Sequence, residues 1–578
     1  EYKSMVEQLV LTGIMLTLVG CLFGTRINPA WLFVSAIGMG YLTGLIDLES
    51  MLVNYANPSL ITLVLLVLVS IAIEKTTLIQ QLSQSLSKGS LVKSVTKLGL
   101  STAFLSSFTN NTAVVASLIT AIKDNPNHSP SKLLLPLSYT AILGGTITLI
   151  GTSTNLIVNG FAVDAGMAPL GFFDFTLVGI GALSVGLITI LVMLKYLPDN
   201  GKNTQEVIPF YLEGKVQAGS KLIGRTVEEN GLRDLKDLFL AEIIRGDERI
   251  YAVTPQQIIR QNDVLLFVGD IKSVPLLRRF DGLKVVHDNH EKDIEHLVEV
   301  VVSQSSKFIG KTVKEARFRE QFHAAVIAIR RGHDRLQGGL GQVQLQAGDS
   351  LILAPGKNFY SLPNLNREFV YISGSDLQTH LKPKQSNIVL AGFAAVLGLS
   401  IVGIVPLVKG LLVLLIGLLL SGTVKLSEVK RRFPIELLAV VGSAIGLAKL
   451  MIETGLAGQI SDALFMVLGD FGPYGAFIAI FLMTVLFTEL ITNNAAAALS
   501  FPVAYSLAVG FNVDPLPFIM AVAFGASASF ISPFGYQTNL MVYSAGNYRL
   551  KDYITMGLPL SIIYSITVLT LIPLVFPF

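Results

Sequence analysis

Thr109-Asn110-Asn111-Thr112-Ala113 lies inside an apolar stretch, 98–122, and Thr492-Asn493-Asn494-Ala495 lies inside another, 473–508. Three adjacent polar residues interrupt a membrane helix. Non-helical backbone at such depth survives only where protein buries it or where it lines a cavity. The second interruption follows the first at an offset of 383 residues. Working outward, Gly151-Thr152-Ser153-Thr154-Asn155-Leu156 recurs as Gly535-Tyr536-Gln537-Thr538-Asn539-Leu540, an offset of 384. Asp174-Phe175 with Gly179 recurs as Asp552-Tyr553 with Gly557, an offset of 378. Three blocks in one order at nearly constant offset make an internal repeat.

The rest of the chain agrees with a membrane reading. Its 578 residues are 51% hydrophobic and only 14% charged, whereas soluble domains carry about 25% charge. Runs long enough to span a bilayer, about 20 residues, stand near 7–24, 31–47, 59–74, 133–165 and 175–197. They resume at 387–404, 406–422, 434–452, 516–548 and 554–578, with the two interrupted stretches between. The 43 basic and 40 acidic residues balance, which argues against nucleic acid as a partner. One cysteine, Cys21, excludes a disulfide framework and a Cys-based zinc site, and its apolar run makes it a packing residue. No cleavable signal stands at the start, and a chain opening on Glu1 leaves room for a segment ahead of it.

Lys and Arg in short loops set the orientation. Loops 48–58, 166–174, 456–472 and 509–515 have neither. The segments around Arg26, Lys88/Lys93/Lys97, Lys123/Lys132, Lys425/Lys430/Arg431/Arg432 and Arg549/Lys551 are basic and are assigned to the cytoplasm. Lys3, Lys409 and Lys449 run against this assignment. Stretch 98–122 then enters and leaves from the cytoplasmic side and 473–508 from the opposite side. Each is a re-entrant hairpin, and the two repeats are inverted.

Between them lies a charged insert that repeats internally. Gly224, Thr226, Val227, Arg245-Gly246, Asp263 and Leu265 recur 86 residues later as Gly310, Thr312, Val313, Arg331-Gly332, Asp349 and Leu351. Short β-branched runs alternating with turns indicate two small α/β modules. The expected organisation is a first membrane repeat over 1–200, modules over 201–286 and 287–375, and a second, inverted membrane repeat over 376–578. The chain is thus expected to be a multi-pass protein of the plasma (inner) membrane, with 201–385 cytoplasmic.

A helix break leaves free carbonyls on one half-helix and free amides on the next. Carbonyls with Asn and Thr oxygens can replace the water around a small cation, and amides at a positive dipole end can hold an anion. Paired broken helices in inverted repeats therefore indicate a secondary transporter. Asn and Thr in membrane helices also serve as interhelical glue, but two such triplets in register, each followed by a second break, favour a binding site. No Lys or Arg lies in any of the four segments, so an anionic substrate would be neutralised by amides, hydroxyls and co-bound cations. Glu489, where the first repeat has Ser106, is either a cation or proton ligand or a strut for the hairpin tip. Glu74, Glu436 and Glu453 sit near span ends and are expected to snorkel or cap. His287, His290 and His296, with Asp288 and Glu295, read as a solvated hinge rather than a metal site. Gly338-Gly339-Leu340-Gly341 leads into Gln342-Val343-Gln344, a strand, and reads as a loop. No residues support an enzyme.

The two Thr-Asn-Asn tips resemble the Ser-Asn-Thr hairpin tips of the divalent anion–sodium symporters, and Gly151–Asn155 and Gly535–Asn539 resemble that family's Gly-Ser/Thr-Pro-Pro-Asn breaks. The insert resembles tandem TrkA C-terminal modules, an arrangement similar to the branch tied to sulfate uptake. The resemblance implies an elevator-type transporter, homodimeric, in which each mobile domain carries both hairpins and both broken helices. It implies two sodium sites, one from Thr109, Asn110 and the Gly151 carbonyl with Asn155, the other from Thr488, Asn493 and the Gly535 carbonyl with Asn539. The implied substrate ligands are Thr109, Asn110, Asn111, Thr152, Thr492, Asn493 and Asn494. Each tip has Asn in third place, and the Pro pairs are replaced by Ser153-Thr154 and Gln537-Thr538. These departures turn the expected substrate from a dicarboxylate toward a smaller tetrahedral dianion such as sulfate. The expected partners are that anion, sodium ions, the lipid bilayer, a second copy of the chain and a small-molecule regulator of the modules. Sodium/dicarboxylate symport, a cation/proton antiporter carried by Glu489, and a channel gated by the modules are the alternatives.

Overall fold

The computed structural model describes residues 2–578 apart from 26, 77–88, 124, 126, 201–209, 233–234, 236–237, 247, 252, 270–276, 278, 287–297, 305, 337–339, 356–358, 360–361, 363–364 and 373–380. The histidine cluster at 287–296 and Gly338-Gly339 lie outside the described residues. The chain divides into two units, Glu1–Asp199 with Thr379–Val542 and Leu550–Phe578, and Asn200–Gln378 with Tyr543–Arg549.

The first unit is helical. Its first half runs α1 (Tyr2–Gly24), α2 (Pro29–Leu42), α3 (Leu48–Val53), α4 (Pro58–Glu74), α5 (Leu91–Ser106), α6 (Asn111–Lys123), α7 (Pro130–Gly145), α8 (Ser153–Asp164) and α9 (Thr176–Met193). Its second half runs α10 (Pro383–Ile401), α11 (Leu407–Leu420), α12 (Leu426–Arg432), α13 (Ile435–Glu453), α14 (Leu456–Leu468), α15 (Gly472–Leu490), α16 (Asn493–Gly510), α17 (Leu516–Ala526), α18 (Gln537–Ala545) and α19 (Leu550–Val575). The starts are written locally. Asn28 and Asn57 each accept a backbone amide ahead of a proline in the first turn of α2 and α4, the favoured geometry for ending a loop and beginning a helix.

Among the described residues, six helices have the length and hydropathy to cross a bilayer, or seven if α3 and α4, bent by 43°, form one span. The apolar segments that carry the polar motifs are broken at them: after Ser106, after Gly145, after Leu490 and after Ala526. On α11, Leu412, Val413, Ile416 and Leu420 stand exposed. Such a face suits lipid and would be a liability in water.

Each half follows the same order, and the packing matches. α5 lies against α7 as α15 lies against α17, and α9 packs on α19. Helices are also exchanged between halves, since α2 packs on α13 of the second half and α4 on α11. The conspicuous Gly179 and Gly557 have equivalent duties. A Cβ on Gly179 would stand 2.8 Å from Thr146 O and Ile147 Cα, and one on Gly557 would stand 2.1 Å from Phe530 O and 3.0 Å from Ile531 Cα. Residues 146–147 and 530–531 are the same positions of the two halves, 384 apart. Each glycine lets α9 or α19 press on the bend that precedes a broken helix. Gly557→Ala is therefore expected to lower stability by roughly 1–3 kcal/mol, the usual range for overpacking, read as a reduced melting temperature of the purified protein.

Three sequence expectations change. Residues 456–468, read as loop, form helix α14, and 48–58 contains α3. Glu74 does not snorkel. It pairs with Arg432, while its neighbour Lys75, nearly fully buried, bonds Glu428 at 2.7 Å and Thr423 O at 2.9 Å. This network ties the end of α4 to α12 and the turn before it. Gln342-Val343-Gln344 is no strand. Leu340–Gln342 is a 3₁₀ turn, and Gln344 makes an isolated bridge to Thr312.

Among the described residues, the second unit holds two five-stranded antiparallel sheets. One contains β1 (Phe210–Val216), β2 (Leu238–Arg245), β3 (Glu248–Tyr251), β4 (Val264–Gly269) and β5 (Leu283–Val286) in the order β3-β2-β4-β1-β5. The other contains β6 (Val298–Val302), β7 (Ala324–Arg331), β8 (Asp334–Arg335), β9 (Asp349–Pro355) and β10 (Phe369–Ile372) in the order β10-β6-β9-β7-β8. The 86-residue repeat explains their shared lock. Arg245 grips fully buried Asp263 through two bonds of 2.9 and 2.8 Å, and Arg331 grips fully buried Asp349 through two of 2.7 and 2.9 Å. Each aspartate also accepts a backbone amide, from Arg260 or Gln346. A buried charge is tolerable only with such bidentate pairing and additional donors.

Candidate functional site

Both Thr-Asn-Asn tips begin a helix. At the first, the Thr109 hydroxyl turns back to Leu105 O at 2.7 Å, and Asn110 Oδ1 accepts the Thr112 amide at 2.9 Å. At the second, Thr492 is the N-cap of α16, its hydroxyl accepting the Ala495 amide at 3.4 Å. Thr488 Oγ1, one turn earlier and fully buried, lies 2.8 Å from Asn493 Oδ1 and 2.6 Å from Ala526 O. The two later breaks also begin helices, α8 at Ser153 and α18 at Gln537.

Side chains from these four starts cross between the halves. Asn111 Nδ2 donates to the Tyr536 hydroxyl at 3.0 Å, and Thr112 Oγ1 donates to Gln537 Oε1 at 3.3 Å. Ser153 Oγ donates to Asn494 Oδ1 at 2.9 Å, and Thr154 Oγ1 shares a 2.8 Å bond with Ser527 Oγ. The first tip thus meets the second break, and the second tip meets the first. Four helix N-termini, each worth roughly half a positive charge, are drawn together. Asn110 and Gln537 are exposed, and Thr109, Thr112, Ser153, Thr492, Asn494 and Tyr536 are partly exposed, so the cleft is accessible. Asn111, Thr152 and Asn493 are buried.

Behind the tips the two glycines make near-equivalent corners. A Cβ on Gly151 would stand 2.5 Å from Gly145 O and 3.0 Å from Ser106 O. One on Gly535 would stand 2.1 Å from Ser529 Oγ and 3.0 Å from Thr488 O. Only glycine allows this approach, and oxygen atoms line both corners. Asn155 Nδ2 donates to Thr148 O at 2.9 Å, and Asn539 Nδ2 donates to Ser529 O at 2.9 Å. The two asparagines therefore brace the corners through their amide nitrogens. Asn539 Oδ1 is approached by Ser138 Oγ at 2.7 Å.

Four buried atoms here have no hydrogen-bond partner: Ser106 Oγ, Asn111 Oδ1, Asn493 Nδ2 and Ser529 Oγ. Each such group costs about 1–3 kcal/mol if nothing ever satisfies it. Two oxygens belong to the first tip and its helix, while the second half supplies a hydroxyl and an N–H donor. That mixture suits a cation beside an anion.

Glu489 has a different task. Its Oε1 accepts the amides of Phe530 and Ile531, both at 2.8 Å, and its Oε2 accepts that of Ser532 at 2.9 Å. It braces the bend between α17 and α18. Of the two roles open from sequence, the strut is the one its bonds describe.

The family match now joins this geometry. Residues 9–523 match the family described as citrate transporter. The chain belongs to that family. It is a multi-pass membrane transporter and not an enzyme. It is 32% identical over 552 residues, 91% of this chain and 94% of the relative, to a Chlamydomonas reinhardtii protein named as a regulator of the sulfur deprivation response. It is 30% identical to an uncharacterized transporter of Synechocystis sp., covering 92% of this chain and 91% of the relative. It is 29% identical to the sodium/sulfate cotransporter 1 of Chlamydomonas reinhardtii over 61% of this chain and 42% of the relative. In this family member, Gly145 and Ser529 join the site without having been named from sequence, and Ser106, Ser153, Tyr536 and Gln537, named there only as repeat or motif positions and not as ligands, join it too. Tyr536 could have been named as a ligand, since it occupies the position of Thr152 in the aligned breaks.

Proposed function

We propose that this transporter imports a small divalent anion, sulfate first, coupled to sodium ions. The observation carrying this reading is the meeting of four helix N-termini through Asn111–Tyr536, Thr112–Gln537 and Ser153–Asn494 bonds. Their summed dipoles favour an anion, and no Lys or Arg stands in the four segments to do so instead. The oxygen-lined corners at Gly151 and Gly535, with unpartnered Ser106 and Ser529 hydroxyls, suit sodium. Bound cations would offset the anion's charge and make binding of each depend on the other. Thr109, Asn110 and Asn155 would serve the first cation site, and Thr488, Asn493 and Asn539 the second. Thr109, Asn110, Asn111, Thr152, Thr492, Asn493 and Asn494 would meet the anion.

In this reading the halves are inverted repeats, transport is by an elevator movement in a homodimer of the plasma membrane, and the modules at 201–286 and 287–375 regulate it from the cytoplasm. The relative named as a sodium/sulfate cotransporter supports sodium and sulfate together. The test is labelled sulfate uptake into liposomes containing the purified chain, with and without an inward sodium gradient. Sodium-dependent accumulation inhibited by excess unlabelled sulfate is the expected result. Uptake indifferent to sodium would refute the coupling, and sodium-driven dicarboxylate uptake without sulfate uptake would refute the substrate.

A further inference from the structure

The two halves differ most at one position of their matched breaks. Thr152 and Tyr536 are equivalent, 384 residues apart, and the phenol stands where the first half has a short hydroxyl side chain. Tyr536 does not point away from the cleft. Its hydroxyl accepts from Asn111 Nδ2 at 3.0 Å, a bond from the second break to the first tip. The ring therefore reaches from the second break across to the first tip. Beside it, Gln537 Oε1 meets Thr112 Oγ1 at 3.3 Å, closing the same flank. The matching contact between the second tip and the first break joins two short side chains, Ser153 and Asn494, at 2.9 Å.

We propose that Tyr536 is the size filter of the cleft, admitting a compact tetrahedral dianion and excluding a dicarboxylate of four or more carbons. This rests on the reading of the cleft as an anion site. A compact oxyanion needs one set of donors, whereas an extended dicarboxylate needs two sets with room between them. In this reading the phenol ring takes the space that a second carboxylate would need. The hydroxyl has a second part. One of its lone pairs is taken by Asn111, and its proton remains available as a donor, so it can bind one oxygen of the compact ion. A filter of this kind works through exclusion as well as attraction.

The experiment measures labelled sulfate and labelled succinate uptake, under one sodium gradient, by the full chain in liposomes. Wild type is expected to take up sulfate and to discriminate against succinate. Tyr536→Thr, which restores the residue of the first half, is expected to raise the succinate-to-sulfate ratio by about tenfold or more. Tyr536→Phe keeps the ring, so it should still exclude succinate while raising the KM for sulfate severalfold. An unchanged ratio in a Tyr536→Thr protein that still carries sulfate overturns the filter. A readout free of any variant is inhibition of wild-type sulfate uptake by selenate, malonate and succinate. Inhibition should weaken from selenate to succinate, and equal inhibition by all three overturns the filter. Wild type that carries both labelled anions overturns it too, while leaving sodium-coupled anion transport standing. Sodium-independent uptake, or none of either anion, overturns the proposed function itself.

Discussion

Asn110→Ala and Asn493→Ala are each expected to cut sodium-driven sulfate uptake by at least about tenfold, the factor that each 1.4 kcal/mol of lost binding produces. The two residues act at equivalent points, so the losses should be of similar size. Asn110 is exposed at the first tip and holds the Thr112 amide at the start of α6. Removing that cap costs about 1 kcal/mol of stability, too little to unfold the protein. Asn493 is buried, gives Thr488 a bond of 2.8 Å, and keeps its Nδ2 amide group without a partner. Thr488 still has Ala526 O at 2.6 Å when the asparagine is gone. Melting curves of both variants should therefore stay close to wild type while uptake collapses. Uptake unaltered in both would remove the tips from the transport site.

Glu489→Gln separates the strut from the carrier. The carboxylate satisfies three backbone amides with two oxygens. A glutamine offers one oxygen, and its NH₂ group would face an amide that needs an acceptor. Hydrogen bonds to charged groups contribute about 1.5–3 kcal/mol each, so the variant should lose roughly 2–4 kcal/mol, seen as a clear drop in melting temperature. Uptake per folded molecule should fall because the bend before α18 shifts, and sulfate should still depend on sodium. A stable Glu489→Gln protein that has lost proton flux would instead support the antiporter. The first half manages its equivalent bend without a carboxylate, using the Thr148 hydroxyl on Ser107 O and the Ser107 hydroxyl near Gly144 O at 3.1 Å. The asymmetry suggests that the second bend is the more firmly held of the two.

The breaks were legible because each is a polar cluster in an otherwise apolar run, and the matched order of Thr109–Asn111, Gly151–Asn155 and Gly179 with their second-half partners exposed the repeat. Residues contributed by tertiary approach were not. Gly145 counts through its carbonyl, which any residue possesses, Ser106 through its carbonyl and one hydroxyl in a run of serines, and Ser153 reads as ordinary helix-start chemistry until Asn494 is seen opposite. Ser529 lies in a small-residue run, Ala526-Ser527-Ala528-Ser529, that looks like packing. Helix α14 was missed for a different reason. Its sequence, LAGQISDALFMVL, is interrupted by Gln459, Ser461 and Asp462, and a search for uniform apolar runs passes over such a segment. Ion pairs such as Lys75–Glu428 join residues 353 apart, a distance at which no local pattern speaks.

The exchange of helices between halves constrains synthesis as well as structure. α2 and α4 find their most extensive packing in α13 and α11, alongside neighbours from their own half. Both α13 and α11 are translated after the whole of 201–375. At about 5–20 residues per second, the ribosome spends roughly 10–35 s on the insert while the faces of α2 and α4 that meet the second half wait uncovered in the membrane. The soluble segment is thus a delay line in the birth of the protein. Its length sets how long the early helices must depend on lipid, or on an insertion chaperone, before the second half arrives to complete them.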